Sequence, residues 1–250
     1  MCSVVILRRP DHDWPLLIAA NRDEMTNRPW LAPGRHWPEL PAIIAGKDQL
    51  AGGSWLGMND NGVVAGVMNR VGTLGSQPGK RSRGELVLQA LTLPTAQQAA
   101  ATIAELPPEA FQAFNLVVAD SREAFWIAHH GNHNPMTSEP IPPGLSMLTS
   151  MDRNDLRSSR IHTYLPKFEM ATEPNPEQVG GWNSWIKLLS SHYFDPASDQ
   201  SGAMNVNKGE FATLSSALIA LPGQGKREIK PIWLFAAGAP DQAPYLPVKR

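Results

Sequence analysis

A chain of 250 residues with 42% hydrophobic content can bury one large core, so a single domain over residues 1–250 is expected. Lys and Arg total 22 against 23 Asp and Glu, and the formal net charge of −1 offers no basic face to nucleic acid. One Cys excludes an intramolecular disulfide, and no Cys/His spacing points to a metal site. No apolar run approaches the roughly 20 residues of a membrane span, and the start has the wrong charge order for a signal peptide, so a cytoplasmic location is expected.

In chain order, Cys2–Leu7 is a β-branched apolar run and Leu16–Ala20 a second, with turn chemistry at Arg8–Asp13 between them. They predict an opening hairpin with Cys2 at the start of its first strand. A Pro- and Trp-rich loop spans Arg28 to Pro41. Ile43–Ala45, Ser54–Met58 and Val63–Met68 read as strands, the last two joined by Asn59-Asp60-Asn61-Gly62, whose residues tolerate positive φ. Ser82 is the expected N-cap of a helix to Leu93, and Thr95 that of a helix to Glu105. Phe114–Ala119 and Ala124–His129 predict another hairpin, followed by a strand at Leu145–Thr149. Helices are expected at Leu156–Leu165 and Trp182–Ser191. Phe211–Leu221 and Ile232–Ala237 form a closing strand pair around Pro222-Gly223-Gln224-Gly225, and the tail from Pro240 is extended. Strands at both ends with helices in the middle argue for an α+β fold of antiparallel sheets covered by helices.

Cys2 becomes the first residue if Met1 is removed. An N-terminal Cys carries a thiol of reference pKa about 8.5 and an α-amine near about 7.7–8.0, so the amine can serve as the base for its own nucleophile. Asn21-Arg22-Asp23-Glu24 ends the second strand of the hairpin that Cys2 begins. Asp23 there could accept a hydrogen bond from the amine, and Arg22 could favour the thiolate. His36 lies between Trp30 and Trp37, and His129, His130 and His133 cluster near Trp126; each reads as a loop histidine rather than a ligand.

The Asn21-Arg22-Asp23-Glu24 run after a Met-Cys start resembles the signature of the NRDE family, also called the Transport and Golgi organisation protein 2 family. Gly52-Gly53-Ser54-Trp55-Leu56-Gly57, Ser82-Arg83-Gly84-Glu85-Leu86 and Phe114 to Asp120 are similar to further stretches of that family. The family in turn looks like the N-terminal-nucleophile hydrolases of the penicillin V acylase and bile-salt hydrolase group. The resemblance implies a four-layer α-β-β-α sandwich. It makes Cys2 the nucleophile, Asp23 the holder of the amine and Asn69 the oxyanion donor, with Arg22 beside them. Asn21, Trp55 and Ser150 are the residues expected to meet the ligand. The pattern departs from the acylases at Ala20, where they carry Arg, at Ser150, where they carry Asn, and at Leu214, where an Arg precedes Ser215-Ser216. These departures turn the expectation toward the family's other implied role, the handling of an apolar ligand such as haem held non-covalently. The alternative is an amidohydrolase that cleaves a small acyl amide and needs no cofactor.

Overall fold

The computed structural model describes residues 2–131, 134–223, 225 and 228–249. In chain order the strands and helices begin with β1 (Ser3–Arg8), β2 (Leu16–Met25), β3 (Trp30–Gly34), β4 (Ile43–Asp48), β5 (Leu56–Asn59) and β6 (Val64–Asn69). There follow α1 (Gly84–Leu91), α2 (Ala96–Ala104), β7 (Phe114–Ala119), β8 (Ala124–His129), β9 (Thr137–Pro140) and β10 (Gly144–Leu148). The chain closes with α3 (Ser159–Met170), α4 (Asn183–Leu189), β11 (Phe211–Leu221), β12 (Ile232–Ala236) and β13 (Tyr245–Pro247). These elements group into two compact units, one of Met1–Asn27 with Pro143–Val248, the other of Arg28–Pro142 with Lys249–Arg250.

The first unit is built on a six-stranded sheet in the order β10-β1-β2-β11-β12-β13. Its central strands are buried on both faces, which is why β1 and the first half of β2 read as continuous apolar runs rather than alternating ones. Val5, Leu7, Leu17, Ala19 and Leu218 share a core with α3 and α4, where Trp185 meets Phe168 and Trp182 edge to face at 5.4 and 6.0 Å. Ser158 caps α3, its Oγ accepting from Ile161 N at 3.4 Å. The helix therefore starts later than Leu156, and it runs past Pro166 to Met170 rather than stopping at Leu165.

The second unit is a seven-stranded meander, β3-β4-β5-β6-β7-β8-β9, with α1 and α2 packed on it through Leu86, Val87, Ala99 and Ile103. Thr95 caps α2 as expected, accepting from Gln98 N at 3.2 Å. Ser82 does not cap α1: that position falls to Arg83, and the Ser82 hydroxyl instead accepts from Gly84 N at 3.2 Å. Gly62 sits at φ 83° in the β5–β6 turn, and Asn59 clasps that turn to the end of α1 by donating to Leu91 O and Leu93 O at 2.8 and 2.9 Å.

Family-like glycines of this unit are packing residues. A Cβ on Gly53 would stand 2.5 Å from the Gly84 carbonyl carbon, and one on Gly57 would stand 2.6 Å from Ala45 and Leu91 side chains. The two motifs that resemble the family thus meet main chain to main chain, with Ser54 N donating to Gly84 O at 3.1 Å. Arg83 fastens the loop between β6 and α1, donating to Thr73 O and Gly75 O at 2.7 and 2.9 Å and to Ala113 O at 3.2 Å.

Candidate functional site

Side chains of paired residues in an antiparallel sheet share a face. β1 pairs with β2 as Ser3↔Asn21 and Val4↔Ala20, and β2 pairs with β11 as Asn21↔Ser216 and Arg22↔Ser215. Since Leu17 and Ala19 face α3 and α4, so do Asn21, Asp23 and Ser3. One further step of the β1–β2 register sets Cys2 opposite Arg22, on the face turned away from the helices. Extending the β1–β10 register, where Val4 faces Leu148, brings Ser150 level with Cys2 on its other side.

Between Thr213 and Ser215 the register of β11 shifts by one residue, leaving Leu214 as the extra residue of a β-bulge. The shift turns Thr213 to the helix face, opposite Asp23. The position where the acylases carry an Arg is therefore the bulge itself, filled here by a half-buried Leu.

Asp23 is held at both carboxylate oxygens. Its side chain is wholly buried; Oδ1 accepts from Thr213 Oγ1 at 2.7 Å, and Oδ2 accepts from Arg160 Nη1 at 2.8 Å. Arg160, from the first turn of α3, also donates from Nη1 to Ser3 Oγ, and from Nε and Nη2 to Ser201 O at 3.1 and 2.9 Å. Thr213 Oγ1 in turn accepts from Val206 N at 2.8 Å.

Cys2 is half-buried, and its thiol points toward Asp23 O at 3.9 Å. Burial pushes the thiol pKa up; the chain's α-amine draws it back, Asp23 adds to the rise, and Arg22 together with the Asp23 main-chain bond opposes it. The net effect is upward, so at neutral pH the resting form is the thiol. Arg22 is itself buried and lies 3.9 Å from Glu24 Oε2. The expected help from Arg22 exists, yet burial outweighs it.

The remaining expected residues fall in several places. Asn21 Nδ2 donates to Leu189 O and Met204 O at 3.0 and 2.9 Å beneath α4, tying β2 to the segments after α4. Ser150 is buried just beyond β10. Trp55 belongs to the second unit, edge-on to Trp30 at 5.7 Å and so close over Gly46 that a Cβ there would come within 2.4 Å of its ring. Asn69 closes β6 of the second unit, half-buried and paired with Phe114. Also in that unit, His129 is fully buried with Phe114 at 5.8 Å, and burial lowers its pKa, partly offset by the Phe111 main chain. His36 is bonded to Ala32 O at 2.8 Å, while His133 and Met1 lie outside the described residues.

Arg160, Thr213 and Ser3 are the functional-site residues missed by reading the sequence. A signal for Arg160 does exist: it stands four residues before Tyr164 and eight before Phe168, in the buried phase of α3. A charge in an apolar phase demands a buried partner.

Solved structures share this fold across nearly the whole chain. A Caenorhabditis elegans N-acylethanolamine-hydrolyzing acid amidase ortholog superposes with TM-score 0.62 at 13% identity, covering 90% of this chain and 94% of its own. A conjugated bile acid hydrolase mutant from Clostridium perfringens does so with TM-score 0.52 at 12% identity, over 100% and 97%. The likeness is one of fold: an α+β architecture of two antiparallel sheets with helices, as in that amidase ortholog and that bile acid hydrolase. The Transport and Golgi organisation 2 family pattern matches residues 1–226, and the chain belongs to that family. A mouse Transport and Golgi organization 2 homolog is 29% identical over 134 residues, 52% of this chain and 48% of the mouse protein. The chain therefore spans about half the length of that curated relative. No helix among the described residues is long and apolar enough to cross a membrane.

Proposed function

We propose that the protein is an N-terminal-cysteine amidohydrolase acting on small acyl amides. The observation that carries this reading is the Cys2 thiol lying 3.9 Å from the Asp23 main-chain carbonyl, at a residue whose carboxylate is fixed at both oxygens by Arg160 and Thr213. A general base must be oriented by a third group, and a carboxylate anchored at both oxygens is suited to that task. The shared fold with proteins named as an amidase and a bile acid hydrolase agrees with it.

In this scheme Met1 is removed and the freed α-amine of Cys2 accepts the thiol proton. Sulfur attacks the amide carbon, and the resulting tetrahedral species collapses when the ammonium returns its proton to the leaving nitrogen. A free amine departs and a thioester remains on Cys2. The α-amine then deprotonates water, which attacks the thioester, and the acid is released as sulfur takes back its proton. The raised thiol pKa is consistent with a resting thiol that needs a base at each turnover.

Intact mass comes first, because a retained Met1 blocks the amine and sinks the mechanism. With Met1 removed, penicillin V or an N-acyl amino acid should turn over or leave an acyl adduct on Cys2 that Cys2→Ala abolishes. Silence across such a panel counts against the proposal. The second reading, handling of an apolar ligand such as haem, is supported by membership of the family. It predicts a saturable Soret shift on haem titration that Cys2→Ala diminishes; a shift insensitive to Cys2 and to each His→Ala rejects it.

A further inference from the structure

Arg160 comes from α3, outside the opening hairpin and its Asn21–Glu24 run, 137 residues from its carboxylate partner. It is only 2% exposed. Its guanidinium is divided between two jobs. Nε and Nη2 grip Ser201 O, which fixes the plane of the group. Nη1 reaches both Asp23 Oδ2 and Ser3 Oγ, one on β2 and the other on β1. Ser3 follows Cys2 directly, and Asp23 provides the carbonyl that faces the Cys2 thiol.

We propose that Arg160 is the positioning residue of the Cys2 site, clamping the two strand ends on either side of the thiol to one rigid fork. The role rests on the amidohydrolase reading for its kinetic consequence, though the clamp itself can be tested without turnover. A buried ion pair is poor evidence of stabilisation, since apolar residues of similar volume often do as well. What an apolar pair cannot do is hold two strands in fixed register at three acceptors. Lysine could keep the charge but not the plane, having a single flexible ammonium in place of a fork.

The test uses the full chain with Arg160→Lys, Arg160→Met and Ser3→Ala, and Tyr164→Phe as control. Tyr164→Phe loosens α3 by removing bonds to Ser191 Oγ and Tyr193 O, at 2.8 and 2.6 Å, without touching Asp23 or Ser3. The first readout is the rate of Cys2 alkylation by iodoacetamide against pH. Asp23 pushes the thiol up, so loss of the cation that neutralises Asp23 in Arg160→Met should move the midpoint upward. Arg160→Lys and Ser3→Ala should change the plateau rate, while the control keeps the wild-type profile. If wild type turns over an acyl amide, Arg160→Lys should lose about 100-fold in kcat with KM within about threefold, as a displacement of about 1 Å would cause. Should wild type show no turnover, the amidohydrolase reading fails while the alkylation profile still decides the clamp. Should Arg160→Met not fold, Arg160→Lys and Ser3→Ala decide it. Wild-type profiles in these variants, or the same change in Tyr164→Phe, overturn the proposal.

Discussion

Thr213→Val keeps the shape of a side chain and deletes the hydroxyl that the β11 bulge aims at Asp23. Two close hydrogen bonds go with it, the 2.7 Å donation to Asp23 Oδ1 and the 2.8 Å acceptance from Val206 N, along with a long 3.5 Å contact to Met204 O. A hydrogen bond to a charged group contributes about 1.5–3 kcal/mol, and a stranded buried N–H costs about 1–3 kcal/mol. Val206 is 2% exposed, so water does not reach its amide without local opening. Relaxation recovers part of the sum, and a loss of about 3 kcal/mol is expected. At about 2–4 °C per kcal/mol for a chain of this size, Tm should fall by about 6–12 °C. Thr213→Ser isolates the hydroxyl: it sheds one methyl group, worth about 0.8 kcal/mol, and keeps both bonds. Urea unfolding gives the comparison through the midpoint at unchanged slope, and hydrogen exchange at Val206 gives the local one. A Val variant within about 0.5 kcal/mol of the Ser variant, with Val206 equally protected, would refute a hydroxyl-based anchor for Asp23.

Two further outcomes concern the second unit. Burial holds the His129 pKa below that of the unfolded chain, so on acidification the unfolded state binds the proton first. The contribution from His129 is thus present above about pH 6.5 and lost as pH falls through the folded value; urea midpoints should drop over that window, and His129→Phe should flatten the dependence. An unchanged slope in the variant would clear His129 of the effect. Gly53→Ala places a Cβ 2.5 Å from the Gly84 carbonyl carbon, where main chain cannot yield as a flexible side chain would. Overpacking of this kind costs about 1–3 kcal/mol, to be read as a lower Tm; a neutral Gly53→Ala would show that the two motifs part without cost.

The sequence made some elements plain because their local chemistry and tertiary setting agree. Thr95, the Asn59–Gly62 turn and the β-branched strands fall into this class. The strands it hid are β3, β9 and β13, and each is a sheet edge. An edge strand buries less and tolerates Pro, as Pro33, Pro140 and Pro247 show. All four residues of β9 are exposed, so no alternation exists to be read. The site was half legible for a related reason. The hairpin put Cys2 near Asp23, but Leu16 to Ala20 are apolar at every position, and a strand buried on both faces does not reveal which residues look toward the helices. Only pairing and the α3 contacts separate Asp23 from Arg22.

That separation decides what Arg160 can and cannot supply. An Arg at position 20 would share the face of Cys2, whereas Arg160 meets Asp23 on the helix face. The guanidinium stiffens the carboxylate without becoming the missing cation of the thiol's own surroundings. On that side stands Arg22, and Glu24 lies 3.9 Å from it, drawing on the same charge. Burial then prevails, and the Cys2 thiol rises instead of falling. In the proposed scheme, thiolate formation at neutral pH then falls to the α-amine as base. The carboxylate is anchored at both oxygens while the thiol's surroundings do not favour the thiolate, so in the proposed scheme release of Met1 is the step that would arm Cys2.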